Sequence, residues 1–382
     1  MPTDGVLPSE GVLRSLDPEF SGAIDAALDG RDVSEAELVR LLRARGPEVH
    51  VLVGAADELR RRAVGDVVTF IVNRNINFTN ECTLSCGFCA FSRRPGDPEV
   101  YLMSPEEVGR RAEEAQRAGA TEVCVQGGIS PSLGPDYYTS LLREVKRRAP
   151  GIHVHAFSPQ EVHYYASMRG IGVREALAEL RDAGLDSMPG TAAEILDDGI
   201  RRIIAPRKIS TRRWVEIVEE AHRMGIPTTS TMMYGHVEGP EHRARHLALL
   251  RDLQSRTHGF TEFVLLPFVH QNTPIYRSGI ARPGSTGVED VVVHAASRIF
   301  LNNYIRNIQV SWPKLGPKFS QALLEAGVND MGGTLMEESI SRSAGAPYGE
   351  SMSPGDIVRL IRDAGRRPAQ RDTTYGIIRY YD

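Results

Sequence analysis

VVTFIVNRNINFTNECTLSCGFC, residues 67–89, opens with a strand and closes on three cysteines. Its first fourteen residues are rich in β-branched and aromatic side chains, as a half-buried or buried strand requires. Cys82, Cys86 and Cys89 follow at once, spaced C-x3-C-x2-C. Ligands delivered at the carboxyl end of a strand suit the active face of an α/β barrel.

Downstream, strand and helix signals alternate. Ser104-Pro105-Glu106-Glu107 combines a capping serine, proline at the first helical position and acid in the first turn. Counting outward from 67–80, β segments are expected at 121–128, 152–157, 185–190, 227–235, 261–268, 307–312 and 329–336. Helices are expected between them, at 136–148, 173–184, 191–204, 210–224, 240–254 and 288–303, with a last one running through Glu325. Eight such units favour a (β/α)8 barrel of the TIM type, with helices outside and active loops at the strands' carboxyl ends. The competing doubly wound sheet lacks support, because no G-x-G-x-x-G fingerprint occurs. Upstream, SLDPEFSGAIDAALDG and SEAELVRLLRARG place apolar residues at three- and four-residue spacing, with Ser34 a capping residue. The expected organisation is a helical N-terminal extension over 1–62, the barrel over 63–345, and a C-terminal tail over 346–382 packing on the barrel.

Composition narrows the class. The 382 residues carry 45 Lys+Arg against 49 Asp+Glu, a net charge of −4, so no basic field points to nucleic acid. No apolar run reaches the ~20 residues of a membrane span. The N-terminus has no basic region followed by an apolar stretch, and a cytoplasmic location is the expectation. Of 4 cysteines, three fall within eight positions, which suits a metal or redox site in a reducing compartment better than a disulfide framework.

Soft thiolates select iron–sulfur clusters, zinc or copper(I). Structural zinc needs four closed ligands. Cys124 has no spacing relation to the trio, and no histidine lies between Asn80 and Leu102. A [4Fe–4S] cluster on three thiolates leaves one iron open to a ligand, unlike the four-thiolate seat of an electron carrier. Cys124 itself reads as a small buried apolar residue.

With the motif and its place after the first strand, the chain resembles the radical S-adenosylmethionine (SAM) superfamily. Within it, RNINFTNEC, CGFCAF, GATEVCVQGGISP, HVHAFSPQEV, AGLDSMPGTAAEILDD, PTTSTMMYGHVEGPE, HGFTEFVLLPFVHQNTP, NIQVSWPKLG, GVNDMGGTLMEESISRSAG and QRDTTY resemble the CofH-type family. Its members are 5-amino-6-(D-ribitylamino)uracil–L-tyrosine 4-hydroxyphenyl transferases, the tyrosine-using half of FO synthase. The resemblance covers about residues 71–375. TMMYGHVE is shared with two menaquinone-pathway relatives, aminofutalosine synthase and the dehypoxanthine futalosine cyclase; HAFSP, SWPKLG and GGTLMEESISR argue against them. A non-enzymatic metal-binding module is the alternative of a different class, and eight units with polar strand ends argue against it.

The resemblance implies a [4Fe–4S] cluster on Cys82, Cys86 and Cys89 and SAM as cofactor. A deoxyadenosyl radical takes hydrogen from the amino group of tyrosine, the Cα–Cβ bond breaks to release 2-iminoacetate, and the 4-hydroxybenzyl radical adds to C5 of the ribitylaminouracil. An external electron donor and a CofG-type partner that closes the deazaflavin ring, on the route to coenzyme F420, are implied as well. One cluster motif and room for one barrel read as the stand-alone half of the pair.

Site residues follow from the same resemblance. Phe88 packs near the adenine, and Gln126-Gly127-Gly128 receives the methionine amino group; an ordinary strand–helix turn is the plain alternative. Ser187 and Glu194 are candidates for the ribose and methionine ends, although Glu194 also suits a first-turn helix acid. His153 and His155 share one face of their strand, with His155 nearer the active end and a satisfied core histidine as the alternative. Tyr234, His236 and Glu238 are candidates for adenine or substrate. Asp330, Glu337 and Glu338 are candidates for the uracil or ribityl groups, and Trp312 and Lys314 for a flat ring or a carboxylate. Two positions depart from the family pattern. Ser130 stands where many relatives have histidine, beside the expected methionine site, and Ala205 where some have cysteine.

Overall fold

The computed structural model describes residues 16–382, so the part of the expected N-terminal extension at 1–15 lies outside the described residues. Three helices open the described residues: Pro18–Leu28, Glu35–Leu41 and Pro47–Val64. Asp17 accepts the N–H groups of Glu19 and Phe20, and Ser34 with Glu37 closes a capping box. The third helix packs against Gly287–Leu301 and the short 3-10 turn Leu323–Ala326.

Ten strands follow: β1 Val67–Ile71, β2 Asn73–Asn77, β3 Glu122–Gln126, β4 His153–Ala156, β5 Thr228–Tyr234, β6 Phe260–Pro267, β7 Ile308–Val310, β8 Asp330–Gly333, β9 Arg367–Arg371 and β10 Ile377–Tyr380. They form a seven-stranded sheet, β10-β9-β1-β8-β7-β6-β5, and a three-stranded sheet, β2-β3-β4. All pairs except β9–β10 are parallel. β1 and β2 are one strand bent at Val72: its first half pairs with β8 and β9, its second with β3. From β2 to β9, helices lie between successive strands, as the alternation of signals predicts.

Two expectations are corrected. Residues 185–190 are not a strand but carry two isolated bridges, Ser187 to His155 and Met188 to Thr228. Pro189 has no N–H to give a ladder, and a Cβ on Gly190 would stand 2.1 Å from the Thr229 carbonyl oxygen. The segment still joins the two sheets, between β4 and β5. In 191–204 only Asp198–Ile204 is helical, because positive φ at Ala192 (63°) and Glu194 (44°) breaks the earlier part. The tail does more than pack: β9 adds to the sheet beside β1, Val67 opposite Arg367 and Phe70 opposite Gln370, and β10 folds back on β9. Helix Pro159–Arg169 is a further element that apolar periodicity does not reveal. Ser158 and Glu161 cap it reciprocally, with Pro159 at its first position.

Candidate active site

The cysteine loop leaves β2 over an aromatic cluster. Phe78, Tyr138 and Phe157 are buried, with Tyr138 and Phe157 edge to face at 4.8 Å between centroids. Gly127 and Gly128 lie against this base. A Cβ on Gly127 would come 2.4 Å from the Phe78 ring, and one on Gly128 would come 2.1 Å from the Glu81 carbonyl oxygen. No larger residue fits this close backbone approach. Their N–H groups are engaged, Gly127 with Glu161 Oε1 at 2.9 Å and Gly128 with the Thr79 carbonyl at 3.0 Å. The glycine turn thus braces the loop from below.

The loop is tied on every side. Cys82 N–H donates to Arg93 O at 2.8 Å, Thr83 N–H to Ile129 O at 2.9 Å, and Gly87 N–H to Ile204 O at 2.8 Å. Ser130, buried, donates its hydroxyl to Glu81 beside Cys82. The family departure at this position therefore sits under the cysteine loop and lines neither cavity described below. Cys86 is buried, while Cys82 and Cys89 are partly exposed. Burial pushes the Cys86 thiol up to about 12, against the nearby Lys208 ammonium. Among the described residues no three His, Cys, Asp or Glu side chains converge on a single ion. Three soft donors on a braced loop beside a cleft fit a [4Fe–4S] cluster.

Two cavities, of about 150 and 270 Å³, share Thr191, Thr231, Leu266, Lys314, Ile340 and Ser341 as a common wall. The upper one meets the cysteine loop at Phe88 and Cys89 and is otherwise walled by Glu194, Met233, Phe268 and neighbours. Glu194 Oε1 accepts from Lys208 Nζ at 2.6 Å, and Lys208 also lies 5.1 Å from the Phe88 ring centre. Glu194 Oε2 is buried with no hydrogen-bond partner in the protein. It lies 3.7 Å from Arg201 Nη1, an ion pair without a hydrogen bond, so it can still accept from an ammonium or hydroxyl, and SAM carries both. Arg201 fixes the strained loop beneath it, donating to the carbonyls of Ala192 at 3.1 Å and Ala193 at 2.5 Å.

The lower cavity is the barrel lumen. His155, Gln126, Trp312, Lys314, Glu338 and Cys124 line it, as does Glu122 on β3. Ser187 does not. Its hydroxyl lies 2.7 Å from both His153 Nε2 and His155 Nδ1, tying the two histidines together as their shared face predicts. Burial pushes His155 down to about 4 despite the facing Glu122, so it is neutral at ordinary pH. Gln126 Oε1 accepts from Thr191 Oγ1 at 2.8 Å, joining lumen to upper cavity. Lys314 is held below its ordinary value by burial, and its Nζ donates to Ser341 Oγ.

Five residues expected to meet substrate or adenine line neither cavity. Tyr234 is buried with its hydroxyl on Asp290 Oδ1 at 2.7 Å. His236 is turned onto the backbone, its Nδ1 accepting from Val237 N–H at 2.8 Å. Glu238 accepts the N–H groups of Gly235 at 2.7 Å and His236 at 2.9 Å and binds Arg243, which braces the exit of β5. Glu337 lies in a separate outer cavity, paired with Arg74 at 2.6 Å and Arg111 at 2.8 Å. Asp330 is beneath the lumen floor with Arg371, Nε to Oδ2 at 2.6 Å. Sequence reasoning missed Glu122, Lys208, Glu262, Arg371 and Thr373. The QRDTTY segment pointed to the last two as family sequence, without a role.

Comparison with known proteins agrees with this geometry. Residues 76–250 match the Radical SAM superfamily and 257–381 the CofH/MqnC C-terminal region. The fold is similar to methylornithine synthase (TM-score 0.71, 18% identity, 91% of this chain and 97% of that one). It is equally similar to the [FeFe]-hydrogenase maturase HydG from Carboxydothermus hydrogenoformans (TM-score 0.72, 15% identity, 94% and 80%). Fold and site together are those of a radical SAM enzyme. Among curated relatives, the 5-amino-6-(D-ribitylamino)uracil–L-tyrosine 4-hydroxyphenyl transferase of Methanothermobacter thermautotrophicus is 52% identical over 90% of this chain and 94% of its own. That of Methanopyrus kandleri is 55% identical over 86% and 89%. FO synthase of Mycobacterium leprae is 51% identical over 95% of this chain, which spans 42% of that longer protein. The chain belongs to the CofH-type family of these 4-hydroxyphenyl transferases.

Proposed function

We propose that this chain transfers the 4-hydroxybenzyl group of L-tyrosine to 5-amino-6-(D-ribitylamino)uracil, as a [4Fe–4S]- and SAM-dependent transferase. The likeness to transferases of that name over nine-tenths of the chain carries the reading. It takes in both halves of the lumen wall, the superfamily region and the C-terminal region. When bound, the cluster and SAM supply reductive C–S cleavage and the radical that begins the reaction.

The chain's own residues do the rest. Cys82, Cys86 and Cys89 hold the cluster, and Gly127, Gly128, Glu161 and Ser130 keep their loop in place. Phe88 and the free oxygen of Glu194 bound the cofactor's place. The lumen excludes water and holds tyrosine under the cofactor, with Lys314 suited to its carboxylate and His155 and Gln126 to its polar atoms. Position decides which hydrogen is lost, since reacting atoms must be held within about 3–3.5 Å. An external reductant supplies the electron, and a CofG-type enzyme takes the adduct onward. Clustered cysteines and no helix apolar enough to cross a membrane among the described residues favour a cytoplasmic setting.

The test is an anaerobic reaction of the reconstituted protein with SAM, tyrosine and the ribitylaminouracil. Formation of 5′-deoxyadenosine together with a hydroxybenzyl–uracil adduct is the expected result. Turnover of a menaquinone-pathway substrate with no adduct would replace this reading with the rival one.

A further inference from the structure

The floor of the lumen carries more acid than a packing layer needs. Glu122 on β3, Glu262 on β6 and Asp330 on β8 are all buried there, where barrel interiors are ordinarily filled by branched apolar side chains. Arg371 is the guanidinium among them, 3.1 Å from Glu262 and 2.6 Å from Asp330. Asp330 is further satisfied by Thr69 Oγ1 at 2.5 Å and Gly332 N–H at 2.7 Å. Glu122 accepts from Asn73 Nδ2 at 2.9 Å and Thr373 Oγ1 at 2.8 Å. Glu262 accepts from the Tyr375 hydroxyl, and Tyr375 also stacks on Arg371 at 4.0 Å. An ionised carboxylate offers about four acceptor sites, so Glu122 retains capacity that nothing in the protein uses. Glu122, Glu262, Arg371 and Thr373 all line the cavity.

Arg371, Tyr375 and the Gln309 amide, which reaches Asp330 Oδ1 and Glu262 Oε2 at 3.1 Å, satisfy much of this acid, and the acceptor capacity left on Glu122 and Glu262 belongs to residues that line the cavity. The upper cavity, in contrast, is walled largely by Phe88, Met233, Leu266 and Phe268. On the proposed reaction, the acceptor's ring must meet the benzyl fragment within the lumen. Its ribityl arm then runs either up toward the cysteine loop or down to the floor. A chain of hydroxyls, each both donor and acceptor, matches the floor. Burial also raises Glu262 to about 7, so near neutrality it too can give or take a hydrogen bond.

We propose that Glu122, Glu262 and Thr373 form the subsite for the polyol arm of the acceptor, and that segment 370–375 of the tail determines specificity for it. This inference rests on the function proposed above and adds where the arm binds.

The experiment measures anaerobic binding to the cluster-loaded protein, by equilibrium dialysis, of the ribitylaminouracil and of 5,6-diaminouracil, which lacks the arm. Wild-type protein should prefer the armed compound by about tenfold or more, the worth of one or two hydrogen bonds to charged groups. Glu122→Gln and Thr373→Val should each reduce that preference by roughly fivefold, acting on the armed ligand. Thr373→Val keeps the test open if Glu122→Gln unfolds. Equal weakening of both ligands, or an unchanged preference, overturns the subsite. If wild-type protein binds neither uracil and forms no adduct with tyrosine, the proposed reaction itself fails.

Discussion

The two ends of the lumen are built in opposite ways. At the cysteine end, Cys82, Cys86, Phe88 and Cys89 lie within eight positions of one loop. At the floor, Glu122, Glu262, Asp330 and Arg371 come from four strands and from both sheets, with Arg371 separated from Glu122 by most of the chain. The first end keeps an oxygen of Glu194 without a hydrogen bond. The second is a network of carboxylates around one guanidinium. A site that will be completed by a large cofactor can be local, because the cofactor holds the ligands together. A site that recognises by many small polar contacts must gather them from wherever the fold brings backbone near.

The largest effect expected separates these ends. Cys82→Ala, Cys86→Ala or Cys89→Ala should abolish cluster loading and deoxyadenosine formation, read by iron and sulfide content and by product. Cys124→Ala, in the lumen wall, should leave about four irons per chain, as one cluster requires. Loss of the cluster in that variant would mean that the three-thiolate seat is wrong.

At the floor, Arg371→Met should strand Asp330 as a buried charge and leave Glu262 protonated. Breaking such a network costs about 3–5 kcal/mol. Denaturant unfolding of the purified variant measures it. A loss below about 1 kcal/mol would show that solvent already reaches the floor.

The brace beneath the cysteine loop sharpens the contrast further. Gly128→Ala would drive a methyl into the Glu81 backbone, whereas Gly134→Ala meets nothing within 4 Å. Overpacking of this kind costs about 1–3 kcal/mol and should also lower iron retention, with Gly134→Ala as the silent control. Equal behaviour of the two variants would break the assignment of the glycine turn as a support.

The smallest effect is on pH dependence. Burial pushes His155, His222 and His294 down to about 4 and His246 to about 3, from an ordinary 6.5. They stay neutral in the fold and take up protons once unfolded, so their contribution is whole above pH 6.5 and drains as pH falls toward 4. Burial raises Glu161 and Glu262 to about 7 from 4.5, which acts the other way: their contribution is whole below 4.5 and is lost as pH rises through 7. The lowered histidines outnumber the raised glutamates, and burial lowers His153, His163, His236 and His270 as well, so unfolding takes up protons near pH 5.5 and stability falls as pH drops. Thermal midpoints should therefore fall from pH 6.5 to 5. A flat or rising profile would mean that the buried histidines are charged in the fold.

Much of this was legible in the residues alone. The alternation of strand and helix signals and the cysteine spacing are local patterns, and local patterns are what side-chain period and capping chemistry write into a chain. Cys82, Cys86 and Cys89 needed no third dimension to be recognised as one site. Family-like sequence extended that reading to substrates. It also singled out Glu194, which lies beside the cysteine loop with one oxygen lacking a hydrogen bond.

Tertiary structure decided the rest. Tyr234, His236 and Glu238 leave a barrel strand at its active end, yet Asp290 and Arg243 turn them into a brace. Residues 185–190 look like a strand until Pro189 and Gly190 meet β5. Glu262 reads as one polar residue in an apolar strand, and Arg371 as one more arginine in a tail. Their meeting depends on β9 pairing with β1 across some 300 residues of sequence. Sequence by itself determined what the cysteine end offers chemically, because its three thiols are neighbours in the chain. Only folding decided the shape and charge of the lumen, because a parallel barrel draws each wall residue from a different strand, and no local pattern records which strands will stand side by side.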